Sequence, residues 1–259
     1  MDEDINKCVN ERKDKENITF GMLPKDLVAD VEGNLSRIST GIMIFDKLLE
    51  GGFERDTVSM IYGAASSGKT TLCMIASDFI SRLGKKIIYI DTEGGFSIDR
   101  FRQISPDYLN SLKNINFLKV NNFDEQHKVI EGLYDCVNKS ISLVVIDTIS
   151  MLYRLEIGKS KDVYEVNRKL GREIIICSNI ARKNNIPVII TNQVYADIDE
   201  VGRNKMVGGD LLRYGCKCLL ELIKPDNASA GQRIAVLRKH RSIEEDKKIK
   251  FKITSNGIE

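Results

Sequence analysis

The sequence predicts an α/β fold, a mostly parallel, twisted sheet flanked by helices, with an antiparallel C-terminal end. Three observations predict it. Short runs rich in Val and Ile recur along the chain, each bounded by turn or charged residues, as strands buried on both faces require. Stretches with apolar residues spaced at three and four separate the earlier runs, so strand and helix alternate and a parallel sheet follows. The last three runs succeed one another without a long helix, which favours antiparallel pairing there.

Taken in order, residues 1 to 36 form a charge-dense leader with one short apolar patch, "ITFGMLPKDLV", and read as a tail or docking segment rather than a folded unit. The core, 37–259, opens its sheet with "TVSMIY" and continues through "KKIIYID", "SLVVIDT" and "IPVIIT", then "CLLELI", "RIAVLR" and "KIKFKIT". Between them "TTLCMIASDFISRL" and "VNRKLGREIIICSNIARKN" have helical spacing. In the second, Val166, Leu170, Ile174, Cys177 and Ala181 share one face.

Composition narrows the function. A chain of 259 residues, 42% hydrophobic, builds one substantial core. Its 39 basic and 37 acidic residues nearly cancel, so any nucleic-acid surface has to be a local patch. No apolar run reaches the roughly 20 residues of a membrane span and the start lacks a secretory pattern, which places the protein in the cytoplasm. The six cysteines form no CxxC pair and read as reduced, packed thiols. Cys216 and Cys218, two apart in a strand-like run, are expected on the same side. The two histidines sit in no ligand-spaced cluster.

Chemistry enters at residues 63–70, which match G-x-x-x-x-G-K-[ST] between a strand and a helix. Gly63, Ala64, Ala65, Ser66, Ser67 and Gly68, with Lys69, Thr70 and Thr71, are the candidate nucleotide cradle. The glycines let backbone N–H groups turn toward phosphate, and the helix N-terminus adds positive potential. Lys69 is expected on the β- and γ-phosphates of ATP and Thr70 on Mg²⁺. Asp147 follows four apolar residues at the end of "SLVVID", the pattern of a Walker B carboxylate for the same Mg²⁺. Thr148 follows it, so a catalytic base has to come from elsewhere, and Glu93 in "YIDTEGGF" is the candidate. "IPVIITNQV" ends with Asn192 and Gln193, amides placed to sense a γ-phosphate.

The ordered set "STG…DKLLEGGF", "GAASSGKTT", "YIDTEGGF", "VVIDT" and "TNQV" resembles the RecA superfamily of recombination ATPases, in its archaeal and eukaryotic branch, from about Ile38 to the final "FKITSNGI". The core is thereby identified as a RecA-like P-loop ATPase. Within that branch "NRKLGREI", the "GGFS" after Glu93 and "TNQVYADID" are more similar to the archaeal RadB family than to RadA, the main strand-exchange protein. The resemblance implies a DNA-binding, ATP-binding accessory factor of homologous recombination and DNA repair. Such a factor is at most a weak ATPase that DNA does not stimulate, without strand exchange of its own, and regulates the processing of branched DNA. It carries over Lys69 and Thr70 as nucleotide and magnesium contacts, Asp147 as Walker B, Glu93 as the catalytic base, and Gln193 as the link between γ-phosphate and DNA. Implied partners are DNA, a RadA-type recombinase, a junction-resolving nuclease or DNA polymerase, and further copies of the chain.

Departures from the RadA pattern point the same way. The leader is shorter than the helical N-terminal domain of RadA-like members, Phe20 is followed by "GML" where Phe-x-x-Ala is expected, and Asp210 stands where histidine usually follows "GG". The loops after Asp147 and Gln193 supply the candidate DNA contacts, Arg154, Lys159 and Lys161 in the first, Arg203 and Lys205 in the second, each adding a salt-sensitive, sequence-independent term. "RKHRS", 238–242, is the densest basic run in the core, offset by the "EED" that follows. Aromatics at 7%, with no tryptophan, give no stacking platform. Two alternatives stay open: an active, filament-forming DNA-dependent ATPase recombinase, and a KaiC-like signalling ATPase, against which Glu93 standing alone rather than paired with a second glutamate counts.

Overall fold

The computed structural model describes residues 36–196, 204–226 and 228–259. Most of the leader, the segment holding Phe20, and Arg203 therefore lie outside the described residues. The elements are β1 (Arg37–Ile38), α1 (Met43–Leu48), β2 (Phe53–Glu54), β3 (Val58–Gly63), α2 (Lys69–Arg82), β4 (Lys86–Asp91), α3 (Ile98–Ile104), α4 (Tyr108–Leu112), β5 (Ile115–Lys119), α5 (Phe123–Cys136), β6 (Ile141–Asp147), α6 (Met151–Ile157) and α7 (Val163–Asn184). They continue with β7 (Val188–Ala196), β8 (Asn204–Met206), α8 (Gly209–Gly215), β9 (Cys218–Ile223), β10 (Gln232–Lys239), β11 (Lys248–Thr254) and β12 (Gly257–Ile258).

The main sheet runs β12-β11-β10-β9-β3-β7-β6-β4-β5, with β8 paired to β7 and β1-β2 forming a separate two-stranded ribbon. From β9 to β5 every pair is parallel, and from β9 to β12 every pair is antiparallel. The sequence-based expectation therefore holds with one refinement: β9 belongs to the parallel set and turns the sheet antiparallel only on its outer side. All six residues of β3 are buried, as its unbroken apolar run requires.

Helices cover the two faces and build two cores. One contains Met60, Val144, Ile190, Leu170 and Cys177 beneath α7; the other contains Ile61, Leu72, Tyr89, Val145 and Phe251 beneath α1 and α2. α7 is a long amphipathic helix whose start is capped by the Asp162 side chain, which accepts from the Glu165 amide, and whose end is closed by Asn185 in a left-handed conformation. Cys216 and Cys218 are both buried but on opposite sides, Cys216 in the first core and Cys218 in the second. The same-side expectation is thus corrected. Cys216 closes α8 before the strand begins, so the two-residue period does not yet apply.

No helix among the described residues is long and apolar enough to cross a membrane, and none of their His, Cys, Asp and Glu side chains form a metal-binding group of three or more.

Candidate functional site

The site lies along the carboxyl ends of the parallel strands, where side chains from several strands converge. Register aligns Gly63 with Gln193 across β3 and β7, and Asp91 with Asp147 across β4 and β6. Strand propensity thus fixes the floor, and the polar residues that end each run become the site.

The 63–70 loop folds as its glycines require. A Cβ on Gly63 would lie 2.2 Å from the Leu222 carbonyl oxygen and 2.9 Å from Ser67 Oγ, so only glycine fits. Gly68, with φ 108°, caps α2 without any side-chain bond to the helix, which leaves the first-turn amides to a ligand. Ser66 carries a left-handed φ of 60°, and its carbonyl accepts two bonds from the Arg233 guanidinium at 3.3 and 2.9 Å. Lys69 Nζ donates to the carbonyls of Gly63 and Ala64 at 3.0 and 2.9 Å. Burial lowers the Lys69 pKa below the ordinary lysine value, while Asp147 and Glu93 pull it back up. Ser67 Oγ is buried without a hydrogen-bond partner. An orphan hydroxyl, a bent glycine loop, uncapped amides and an ammonium make a donor set that suits a nucleotide phosphate.

Asp147 is locked in place. Tyr89 donates to its Oδ2 at 2.9 Å and Thr191 to its Oδ1 at 2.5 Å. Each carboxylate oxygen retains further acceptor capacity, so the group fits a hydrated magnesium, with Thr70 packed near Gly95 on the facing loop. Asp91 shapes that facing loop: its carboxylate accepts from the amides of Glu93 (3.2 Å), Gly95 (3.1 Å) and Phe96 (3.1 Å). Sequence reasoning missed Asp91, Tyr89, Thr191 and Arg233. Only Asp91 carried a readable signal, an aspartate ahead of a glycine-rich turn.

Glu93 and Gln193 meet. Gln193 Nε2 donates to Glu93 Oε1 at 2.6 Å, joining residues a hundred positions apart. Partial burial of the Glu93 carboxyl raises its pKa above the ordinary carboxylate value. Asp147 adds to the rise, and Lys69 and the Gln193 bond oppose it. Asn192, the other candidate sensor, is corrected to a structural role: it is fully buried and donates from Nδ2 to the Val207 carbonyl at 2.9 Å, pinning the return strand.

The two candidate DNA loops are more ordered at their bases than the sequence implied. Residues 151–157 are helix α6, so Arg154 sits on a helix rather than a loop. The second loop starts as a ribbon in which Val194, Tyr195 and Ala196 of β7 pair with Met206, Lys205 and Asn204. Arg154, Lys159 and Lys161 are exposed and form no ion pair among the described residues. Neighbouring Arg168, Lys169 and Arg172 are each paired with a carboxylate, at 2.7, 2.6 and 3.0 Å. The basic run at 238–242 is spent internally. Arg238 binds Glu221 and Asp246, Arg241 binds Glu54 and Asp56, and Lys239 Nζ caps the carbonyls of Arg213 and Cys216.

The family model described as Rad51 matches residues 32–259. The "DNA repair and recombination protein RadB" of Methanoculleus marisnigri is 40% identical over 226 residues, covering 86% of this chain and 97% of the relative. Proteins of the same description from Methanobrevibacter smithii and Thermococcus gammatolerans are 36% and 37% identical over 82% and 86% of this chain, and 92% and 98% of their own lengths. A solved structure titled "Crystal structure of the RadB recombinase" matches with a TM-score of 0.73 at 36% identity, covering 85% of this chain and 98% of that one.

Proposed function

The chain belongs to the Rad51 family, among its RadB members, and from that premise we propose that it is an ATP-binding, DNA-binding accessory protein of homologous recombination and DNA repair. Its relatives carry DNA repair and recombination in their names, and its phosphate loop and basic loops suit nucleotide and DNA. Gly63 to Thr71 hold the nucleotide, Thr70 and Asp147 hold Mg²⁺, and Arg154, Lys159 and Lys161, with Arg203 and Lys205, contact DNA phosphates. Bound Mg²⁺–ATP supplies a phosphoryl group whose charge is neutralised by the metal.

One observation carries the reading of ATP as a switch rather than fuel. Gln193 of the same chain donates to Glu93 Oε1 at 2.6 Å, so the candidate base is tied to the strand that leads to the second basic loop instead of answering to nucleotide alone. Gln193 lies on the strand that continues into the second DNA loop, so ligands at either end bear on the same bond. Turnover is therefore weak, and DNA and nucleotide act on one another through binding. The protein acts beside a RadA-type recombinase, regulating the processing of branched DNA together with a nuclease or polymerase.

Strand exchange tests this. Alone, the protein is expected to exchange no strands between homologous oligonucleotides; added to a RadA-type recombinase, it is expected to change that enzyme's rate. Exchange by this chain alone would instead support the active-recombinase reading.

A further inference from the structure

Strand β11 places a lysine at every second position, Lys248, Lys250 and Lys252. The two-residue period puts all three on one face, and the register sets them opposite Val236, Ile234 and Gln232 of β10. The opposite face is packed: Phe251 meets Phe45 of α1 edge to face at 5.2 Å, and Ile249 and Ile253 join the same core. The lysine face is open. All three side chains are exposed and none has a carboxylate partner among the described residues, whereas Lys247 beside them is paired with Glu50 at 3.2 Å. A hollow of about 600 Å³ opens at the Lys250–Lys252 end of this face, lined by Lys250, Lys252, Gln232 and Ile234 and, from the other face, by Phe251, with Glu259 as its acid. Arg233 also lines the hollow and grips Ser66 of the phosphate loop.

We propose that this lysine row is a second polyanion-binding face, separate from the loops after Asp147 and Gln193, that takes the sugar-phosphate backbone of a nucleic-acid strand. This rests on the DNA-binding reading above and extends it to another part of the molecule. Successive lysines stand about 6.6 Å apart along the strand, a repeat of the same order as the phosphates of an extended strand. Three aligned cations repel one another and hold counterions, which a polyanion releases on binding. Protection of a sheet edge accounts for Lys248 and Lys250 but not for the whole row. Where Lys252 sits, the edge is already covered by β12, with Ile253 opposite Ile258 and Thr254 opposite Gly257, and the Lys252 amide donates to the Glu259 carbonyl at 2.7 Å.

The test titrates a labelled oligothymidylate with the full-length chain across a salt series, beside K248Q/K250Q/K252Q, K248R/K250R/K252R and the loop variant R154Q/K159Q/K161Q, each checked for an unchanged unfolding midpoint. The glutamine variant is expected to bind more weakly and to lower the slope of log affinity against log salt by about 2, three contacts at roughly 0.7 each. The arginine variant is expected to keep the parent slope. A glutamine variant that titrates like its parent while the loop variant loses binding overturns this face and leaves the DNA-binding reading standing. An arginine variant as weak as the glutamine one overturns it too, because charge is then not the cause. A parent chain that does not bind the oligonucleotide removes both.

Discussion

Lys69 and Glu93 are the two side chains whose chemistry is most exposed to test. Lys69 Nζ sits among backbone carbonyls of its own loop, and nothing in that arrangement reaches the cations at 154, 159 and 161. Lys69→Ala is therefore expected to abolish binding of a fluorescent ATP analogue while keeping most of the affinity for single-stranded DNA. Joint loss of both affinities in a folded variant would contradict separate contacts. For Glu93 the sign follows from its environment. Partial burial and Asp147 raise its folded pKa, so the ionised base is lost at a higher pH than for an ordinary carboxylate as the solution is acidified. The acid limb of any hydrolysis profile should lie correspondingly high. Gln193→Ala removes a bond that favours the ionised form, so the limb is expected to move higher still. A limb that stays put or moves down would separate Gln193 from the base. Lys69, Thr70, Asp147 and Glu93 were legible because each ends or follows a strand in a patterned string. Asn192 was misjudged because an amide at a strand end reads the same whether it turns toward a ligand or down to the Val207 carbonyl.

Among the elements, the tie between α5, α7 and the segment after β6 has no trace in the sequence pattern. Gln126 Nε2 donates to the Ile149 carbonyl at 3.1 Å and to Glu173 Oε2 at 2.8 Å, and His127 Nδ1 lies 3.3 Å from Glu173 Oε1. Glu173 is completely buried, and burial raises its pKa. Replacing it by leucine strands one N–H of the Gln126 amide, which keeps its bond to Ile149, a loss of about 1–3 kcal/mol in unfolding free energy by denaturant titration. A change under a few tenths would mean the cluster relaxes. Periodicity does place Glu173 on the apolar face of α7, seven residues after Val166 and four before Cys177, but it could not name the partners, which come from α5 and the segment after β6. The basic run at 238–242 is half legible: Asp246 of the following "EED" pairs with Arg238 as the offset implies, whereas Glu54, Asp56 and Glu221 are distant in sequence. Strand and helix alternation, by contrast, was readable because the parallel core demands unbroken apolar runs.

For the molecule as a whole, the sheet order places the phosphate loop, Asp147, Glu93 and Gln193 at one strand-end edge, and β7 runs onward from Gln193 toward the second candidate DNA loop. Under the proposed function that continuity would couple the two sites through one bond. Motif order makes the strands legible and the family resemblance singles out Gln193, but the direct contact with Glu93 depends on strand order that no local string encodes. The most direct measurement is ATP hydrolysis with and without single-stranded DNA at fixed salt, beside Glu93→Gln. The expected result is weak turnover that DNA leaves unchanged and that falls further in the variant. Strong DNA stimulation that disappears in the variant would mean that DNA releases Glu93 from Gln193 into a working engine, and would contradict ATP as a switch.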